Sequence, residues 1–259
     1  MCRIAAYLGP PIALEDIIVK PAHSLLEQSQ HASEAKLAVN GDGFGIAWYG
    51  RGDAPGLYRD VLPAWSDGNL TSLCRMVTAP LFLAHIRAST MGETSRANCH
   101  PFSYGKWSFC HNGQVPHFPR IRRALEAALP DELYAHRRGT TDSEMVFLTL
   151  LAQGLQDDPA GAVHRTLAAL GPAMPDGPVR LTCVFSDGVA LYAFRYASDG
   201  KCPTLYLTER TEHGGSALAS EPLCGGVRDW RAIPPNCLVR VDPAGYSETS
   251  LDRSEPAFT

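Results

Sequence analysis

Strand-like apolar runs crowd both ends of this chain, and most of the helical patterns lie between them. RIAAYL at 3–8, FGIAWY at 44–49, PLFLAHIRA at 80–88 and WSFCHN at 107–112 read as strands, with another near 57–61. From 179 onward VRLTCVFSD, VALYAFRY, PTLYLTE, SALASE and NCLVRVD follow in quick succession. PLFLAHIRA is apolar on both alternating faces, the pattern of a strand covered on both sides. Helices are predicted at 119–129, 142–155 and 159–170, and shorter helical segments near 13–18, 23–30 and 68–78. Gly-Pro-Pro at 9–11 predicts a turn that closes the first strand. The strict strand–helix–strand alternation of a parallel sheet is missing, which argues against a doubly wound Rossmann-type fold. An α+β fold is expected, with mixed or antiparallel sheets covered by helices.

At 259 residues, 45% of them hydrophobic and 19% charged, the chain can bury a sizeable core as one domain over 1–259. The net charge of −4 offers no basic footprint for nucleic acid. Nowhere do 18 apolar residues follow one another, so no membrane span is expected. The opening MCRIAAYLGPPIALEDIIVK lacks the plan of a secretory signal. The eight cysteines include no CxxC pair, which suits reduced thiols in a cytoplasm better than a disulfide framework. No cofactor and no metal are implied: zinc-type ligand spacing is absent, and neighbours such as Cys99-His100 or Cys110-His111 point to opposite faces of a strand.

Four places could carry chemistry. Cysteine after an initiator methionine is small enough for Met1 to be trimmed, leaving Cys2 with a free α-amine of pKa about 7.7–8.0. A thiol nucleophile and a base titrating near neutrality would then share one residue. The plain alternative is a small hydrophobe that opens a strand. Arg87 ends an apolar strand on the face that also carries His85. A buried guanidinium needs a partner, and its planar fork suits a carboxylate, either of a ligand or of an internal ion pair. Asn112-Gly113 offers a side-chain amide and a backbone N–H, the donors of an oxyanion hole, or else an ordinary Asn-Gly turn. Asp142 follows Thr141, the N-cap of a helix whose TDSE start is a capping-box pattern with Glu144 reaching back. Its carboxylate either complements the helix dipole or anchors a substrate ammonium group. The glycine-rich NGDGFG matches no phosphate-loop spacing and reads as a turn packed near the cysteine.

Taken together, Met-Cys-Arg at 1–3, NGDGFG at 40–45, AHIRAST at 84–90, NCHPF at 98–102, HNG at 111–113 and TTDSE at 140–144 resemble the class II glutamine amidotransferases, a family of N-terminal nucleophile hydrolases. The resemblance spans nearly the whole chain, with its motifs concentrated in 1–145. The nearest likeness is to small stand-alone members, including relatives that cleave γ-glutamyl bonds in glutathione degradation or ergothioneine synthesis. It implies a four-layer αββα sandwich. It also implies Cys2 as nucleophile with its own amine as base, and Asn112 and Gly113 as the oxyanion hole. Arg87 would clamp the glutamyl α-carboxylate, Asp142 would hold the α-ammonium, and Thr90 would contact substrate. Ser220-Glu221-Pro222 and Trp230 fit the family pattern without a chemical role.

Synthetase-linked members carry Arg-Trp-Ala-Thr-His-Gly around the clamp, whereas here the run is Arg87-Ala88-Ser89-Thr90-Met91-Gly92. No synthetase domain is expected to follow. The expected substrate is glutamine or a γ-glutamyl small molecule, giving glutamate and ammonia or an amine through a γ-glutamyl thioester. An acceptor other than water would lie on another chain, a separate synthetase or peptidase subunit. The alternatives are a glutaminase subunit feeding such a synthetase, and a non-catalytic γ-glutamyl-binding module.

Overall fold

The computed structural model describes residues 2–35, 38–89, 93–171, 177–223 and 229–252. Strands β1 (Arg3–Ala13), β2 (Phe44–Tyr49), β3 (Gly56–Asp60), β4 (Thr78–Ile86), β5 (Phe102–Tyr104) and β6 (Trp107–Gln114) occupy the first half. The second half holds β7 (Arg180–Ser186), β8 (Leu191–Ala197), β9 (Tyr206–Thr208), β10 (Ser216–Ala219), β11 (Arg231–Ala232), β12 (Cys237–Asp242) and β13 (Gly245–Ser250). Helices α1 (Glu15–Ile18), α2 (Leu25–Gln30) and α3 (Gly68–Met76) come early. The central stretch holds α4 (Phe118–Ala127), α5 (Asp131–His136), α6 (Asp142–Ala152) and α7 (Pro159–Leu170).

The strands form two antiparallel sheets, in the orders β11-β9-β10-β1-β4-β2-β3 and β13-β12-β8-β7-β6-β5. Side-chain alternation along each strand sends successive residues to opposite faces. Ile4 and Ala6 of β1 therefore meet Cys110, Val184, Ala193 and Val239 of the second sheet. Ala5 and Tyr7 face the other way, onto Ile17, Leu25 and Leu70 of α1–α3. On the second sheet Phe109, Cys183, Phe185 and Phe194 pack on Phe118, Phe147, Leu151 and Val163 of the central helices. Three apolar layers thus hold four structural layers, the expected αββα sandwich. Helix α6 is buried almost all round, which explains its lack of a polar face. No helix among the described residues is long and apolar enough to cross a membrane.

The structure departs from expectation at particular points. Gly9-Pro10-Pro11 does not end β1. The strand continues to Ala13, and the ladder with β4 only shifts register between Leu8 and Ile12. Two prolines remove ladder donors, so the chain bulges at an exposed stretch and resumes pairing. The capping box is half formed. Thr141 Oγ1 accepts from Glu144 N–H at 3.3 Å, but the Glu144 carboxylate reaches the N–H groups of Arg138 at 2.9 Å and Gly139 at 2.7 Å instead of the cap residue. β13 is exposed along its whole length and carries no apolar alternation, so its sequence lacks the strand pattern.

Phe109 is fully buried and stacks on Phe147 with ring centroids 5.2 Å apart, tying β6 to α6. Phe109→Ala is expected to lower stability by about 3–5 kcal/mol. Urea unfolding followed by circular dichroism measures this, and a loss under 1 kcal/mol would contradict the layer assignment.

Candidate active site

A cavity of about 780 Å³ opens where β1 begins, β4 and β6 end and α6 starts, and Cys2, Arg87, Asn112, Gly113 and Asp142 all line it. Thr90, like Met1, lies outside the described residues. The antiparallel register sets the first two beside each other. Arg3 pairs with Ile86, so Cys2 falls next to Arg87-Ala88. Ala88 N–H donates to Cys2 Sγ at 3.4 Å, and the thiol lies 3.6 Å from Ala88 O. Burial pushes the Cys2 thiol up, while the Ala88 backbone and the nearby charges of Arg87 and Arg3 pull it back only in part. At neutral pH the sulfur therefore keeps its proton until a base removes it.

The glycine turn frames Arg87. Arg87 N–H donates to Gly43 O at 2.8 Å, and Asp42 N–H donates to Arg87 O at 3.0 Å. The guanidinium donates to Asp42 O at 3.3 Å and to Ser89 Oγ at 2.9 Å, and Asp42 also accepts from Ser89 N–H at 2.7 Å. Gly43 has φ +112°, and a Cβ there would sit 2.7 Å from Cys99 Sγ, so the turn requires glycine. NGDGFG is thus a turn that holds the arginine in place.

Period-2 alternation on β6 divides its residues between two neighbours. Cys110 and Asn112 face the first sheet, while His111 and Gly113 face the helices. Asn112 is 1% exposed, its Nδ2 is buried with no hydrogen-bond partner, and the residue lines the cavity that also holds Cys2. Gly113 has φ +149°, and a Cβ would meet Arg180 O at 2.0 Å, so no side chain fits. His111 Nδ1 bonds to Ser143 Oγ at 2.9 Å, and the His111 carbonyl meets His85 Nε2 at 3.2 Å. The His85 and His100 rings lie against each other, tilted, with centroids 4.1 Å apart. Burial holds His85 down to about 3 and pushes His100 and His111 below the usual histidine range. A layer of neutral imidazoles therefore underlies the cavity. Among the described residues no group of three or more His, Cys, Asp or Glu is arranged to hold a metal ion.

Asp142 opens α6. Its Oδ2 accepts from Val115 N–H at 2.8 Å and its Oδ1 from Ser143 N–H at 2.8 Å, so it pins the segment after β6 to the helix start. Both oxygens carry a backbone bond, and the carboxylate still borders the cavity.

Behind Cys2 lies a pair that sequence reasoning left without a role. Arg3 is fully buried; its Nη1 meets Glu221 Oε1 at 2.6 Å and its Nε donates to Cys2 O at 2.7 Å. Glu221 also meets His23 Nε2 at 2.7 Å and accepts the N–H groups of Ser33 at 3.0 Å and Glu34 at 2.8 Å. Ser220 Oγ accepts Ile4 N–H at 2.9 Å. Ser220 and Glu221 therefore position the residues that follow the thiol. The clue available in the sequence was an arginine directly after Cys2, which a buried strand tolerates only with a carboxylate partner.

Known proteins resemble this chain over most of its length. The profile of class II glutamine amidotransferases matches residues 18–224. The probable glutamine amidotransferase DUG3 of Saccharomyces cerevisiae is 31% identical over 93% of this chain and 82% of its own length. The gamma-glutamyl-hercynylcysteine sulfoxide hydrolase of Mycolicibacterium smegmatis is 30% identical over 97% of this chain and 100% of its own. Among solved structures, a glutamine aminotransferase class-II domain protein from Silicibacter pomeroyi superposes with a TM-score of 0.77 at 39% identity, covering 96% of this chain and 99% of that one. Glutamine phosphoribosylpyrophosphate amidotransferase from Bacillus subtilis, at 13% identity and TM-score 0.69, shares the fold over 97% of this chain and 50% of its own. The αββα sandwich is that of the N-terminal nucleophile hydrolases. This chain belongs to the class II glutamine amidotransferase family, and it is an amidohydrolase that acts on glutamyl amides.

Burial alone would push the Glu221 carboxyl up, but the N–H groups of Glu34 and Ser33, with His23 and Arg3, outweigh it and hold the group below its usual range. A carboxyl whose folded pKa is depressed stabilises the fold above its unfolded pKa of about 4.3 and loses that contribution as pH falls through the folded value. Glu221→Ala strands Arg3 and is expected to cost about 3–5 kcal/mol at pH 7. Glu221→Gln should flatten the fall in melting temperature below about pH 4. An unchanged acid limb in that variant would contradict the assignment.

Proposed function

We propose that the protein hydrolyses the γ-amide of glutamine or of a γ-glutamyl compound through Cys2, releasing glutamate and ammonia or an amine. The observation that carries this is the single cavity that Cys2, Arg87, Asn112, Gly113 and Asp142 line together, with the buried Asn112 Nδ2 left without a partner. A donor left bare in a buried wall is costly unless a ligand oxygen completes it. The names of the curated relatives, a glutamine amidotransferase and a γ-glutamyl hydrolase, agree with it.

Removal of Met1 frees the Cys2 α-amine. Arg87 grips the α-carboxylate of the substrate, Asp142 faces its α-ammonium group, and the γ-carbonyl comes to rest against Sγ. The α-amine takes the thiol proton as sulfur attacks carbon, and the carbonyl π pair moves onto oxygen, where Asn112 Nδ2 and Gly113 N–H receive it. Collapse of this oxyanion breaks the C–N bond, and the proton leaves with the amine. Water then adds to the γ-glutamyl thioester, giving its proton to the α-amine. Glutamate departs and the thiol is restored. The neutral histidines do not compete as bases, since burial keeps them from taking up protons near pH 7.

Glutamate release is expected from glutamine or γ-glutamyl compounds and absent in Cys2→Ala; equal release from both proteins would refute the mechanism. Asn112→Ala should keep its melting temperature within a few degrees and lose about 10²–10³ in kcat. The rate should climb as pH rises through about 7.7–8.0, where the α-amine loses its proton. Intact-mass measurement of the active protein should show Met1 absent, and active protein that retains Met1 would rule out the α-amine as base.

A further inference from the structure

β3 and β5 are the last strands of the two sheet orders, and they belong to different sheets, so no ladder joins them. A second cavity of about 140 Å³ lies at the seam between them. It is bordered by Arg59 of β3, Phe102 and Ser103 of β5, His136 of α5, Arg138 just beyond that helix, and Glu144 of α6. It shares no lining residue with the Cys2 cavity. His136 Nε2 bonds to Ser103 O at 2.9 Å, which fixes α5 to β5. Arg59 Nη1 donates to Cys99 O at 3.2 Å, which ties β3 to the turn before β5.

The charge around this seam does not balance. A guanidinium taken out of water needs an anion or a full set of acceptors. Arg59 is half-buried, keeps the single bond to Cys99 O, and pairs with no carboxylate among the described residues. Burial pulls its guanidinium below the usual arginine range, and its neighbours Cys99 and Glu144 offset that only in part. Arg138 donates through Nη1 to Ala135 O at 2.8 Å and pairs with no carboxylate among the described residues either. The acid in the wall is already answered: Glu144 accepts the N–H groups of Arg138 and Gly139 and lies 4.0 Å from Arg137 Nε. Arg137 also pairs with Glu126, which Arg122 shares at 2.7 Å. Four guanidiniums thus stand against two carboxylates. Arg137 is one-tenth exposed, yet its Nε and Nη2 have no hydrogen-bond acceptor. Glu132 of α5 is taken up by the Tyr104 hydroxyl. Donors and positive charge are both in excess here. A phosphate has five non-hydrogen atoms, which at about 30 Å³ each need about 150 Å³, the size of this cavity. Water fills such a volume but sets no charge against the arginines.

We propose that the seam cavity binds a phosphate group, free or as the head of a monoester, gripped by Arg59 from the first sheet and Arg138 from the helix layer, with the Ser103 hydroxyl as a further donor. The anion joins elements that no strand pairing joins, so its occupancy is read in stability. Neither the cavity nor its test involves Cys2, and the site stands or falls separately from the catalytic reading.

The test titrates inorganic phosphate and glycerol phosphate into the full chain by calorimetry, against sodium chloride of matched ionic strength. Melting temperature is followed over the same concentrations. Phosphate raises melting temperatures in general by exclusion from protein surfaces, so only a saturable rise counts. Saturable binding of at least one ligand at millimolar concentration or below is expected, with the melting temperature following the same curve. Tighter binding of inorganic phosphate assigns the free ion, and tighter binding of the ester assigns a monoester. Arg138→Met, at an exposed position, should weaken binding about tenfold, and Arg59→Met about ten- to hundredfold, the scale of charge-assisted hydrogen bonds. Where Arg59→Met fails to fold, Arg138→Met decides. Arg87→Met, in the Cys2 cavity, should leave binding unchanged. Absence of saturable binding, binding indifferent to Arg138→Met and Arg59→Met, or binding lost in Arg87→Met overturns the site.

Discussion

The ion pair between Arg3 and Glu221 is the interaction on which the site depends. Removing two charges from water is expensive, and a buried pair often contributes less to stability than well-packed apolar residues of the same volume. Its value here comes from its position. Arg3 Nε holds the carbonyl of Cys2, and Glu221 gathers His23 and the backbone of Ser33 and Glu34 around the other end. One carboxylate thus joins the start of β1, the end of β10 and the 33–34 loop. Strand pairing alone would set the direction of β1, but the residue before the strand needs this further hold to keep its thiol beside Ala88.

Much of this was legible in the sequence, and the reason is local. A strand buried on both faces announces itself as an apolar run, and an arginine at its end stands out. Asn112-Gly113 stands out because only glycine tolerates the geometry at 113. The αββα layering was implied by resemblance and is explained by side-chain alternation on β1 and β6. What stayed hidden depends on contacts between distant parts of the chain. Glu221 meets Arg3 across a separation of 218 residues, and Ser143 meets His111 across 32. No window of sequence contains both partners. β13 was invisible for another reason: with every side chain exposed it has no apolar period to read. Gly-Pro-Pro misled because proline ends ladder pairing without reversing the chain, and a neighbouring strand can carry the register across.

Placing a thiol in this setting creates a conflict that the surroundings settle. Burial favours the neutral thiol, and the nearby cations offset that only partly. A site in which a histidine served as base would need an imidazole able to take up a proton near neutrality. The three histidines beneath this cavity are all pushed the other way by burial, and two of them lie ring against ring, tilted. Their role is to fill and stiffen. His111 spaces β6 from α6 through Ser143, and His85 braces the carbonyl of His111. The polarity needed for chemistry is left to groups at the rim of the strands.

The same logic accounts for the bare donors. Folding normally satisfies buried polar atoms, and each one left open costs about 1–3 kcal/mol. Asn112 Nδ2 and Arg3 Nη2 are both open, on residues whose other polar contacts are well made or tightly packed. Arg3 Nη2 belongs to a guanidinium already fixed at two atoms, so its openness follows from holding Cys2 and Glu221 at once. Asn112 has no such excuse. Its neighbour Cys110 packs in the apolar layer between the sheets, while His111 likewise leaves its buried Nε2 without a partner. In the proposed reaction that unanswered amide is the donor that receives charge developing on a ligand oxygen, and its cost to stability is the cost of having it in place beforehand. Such preorganisation is what distinguishes a reacting site from a cleft that merely binds.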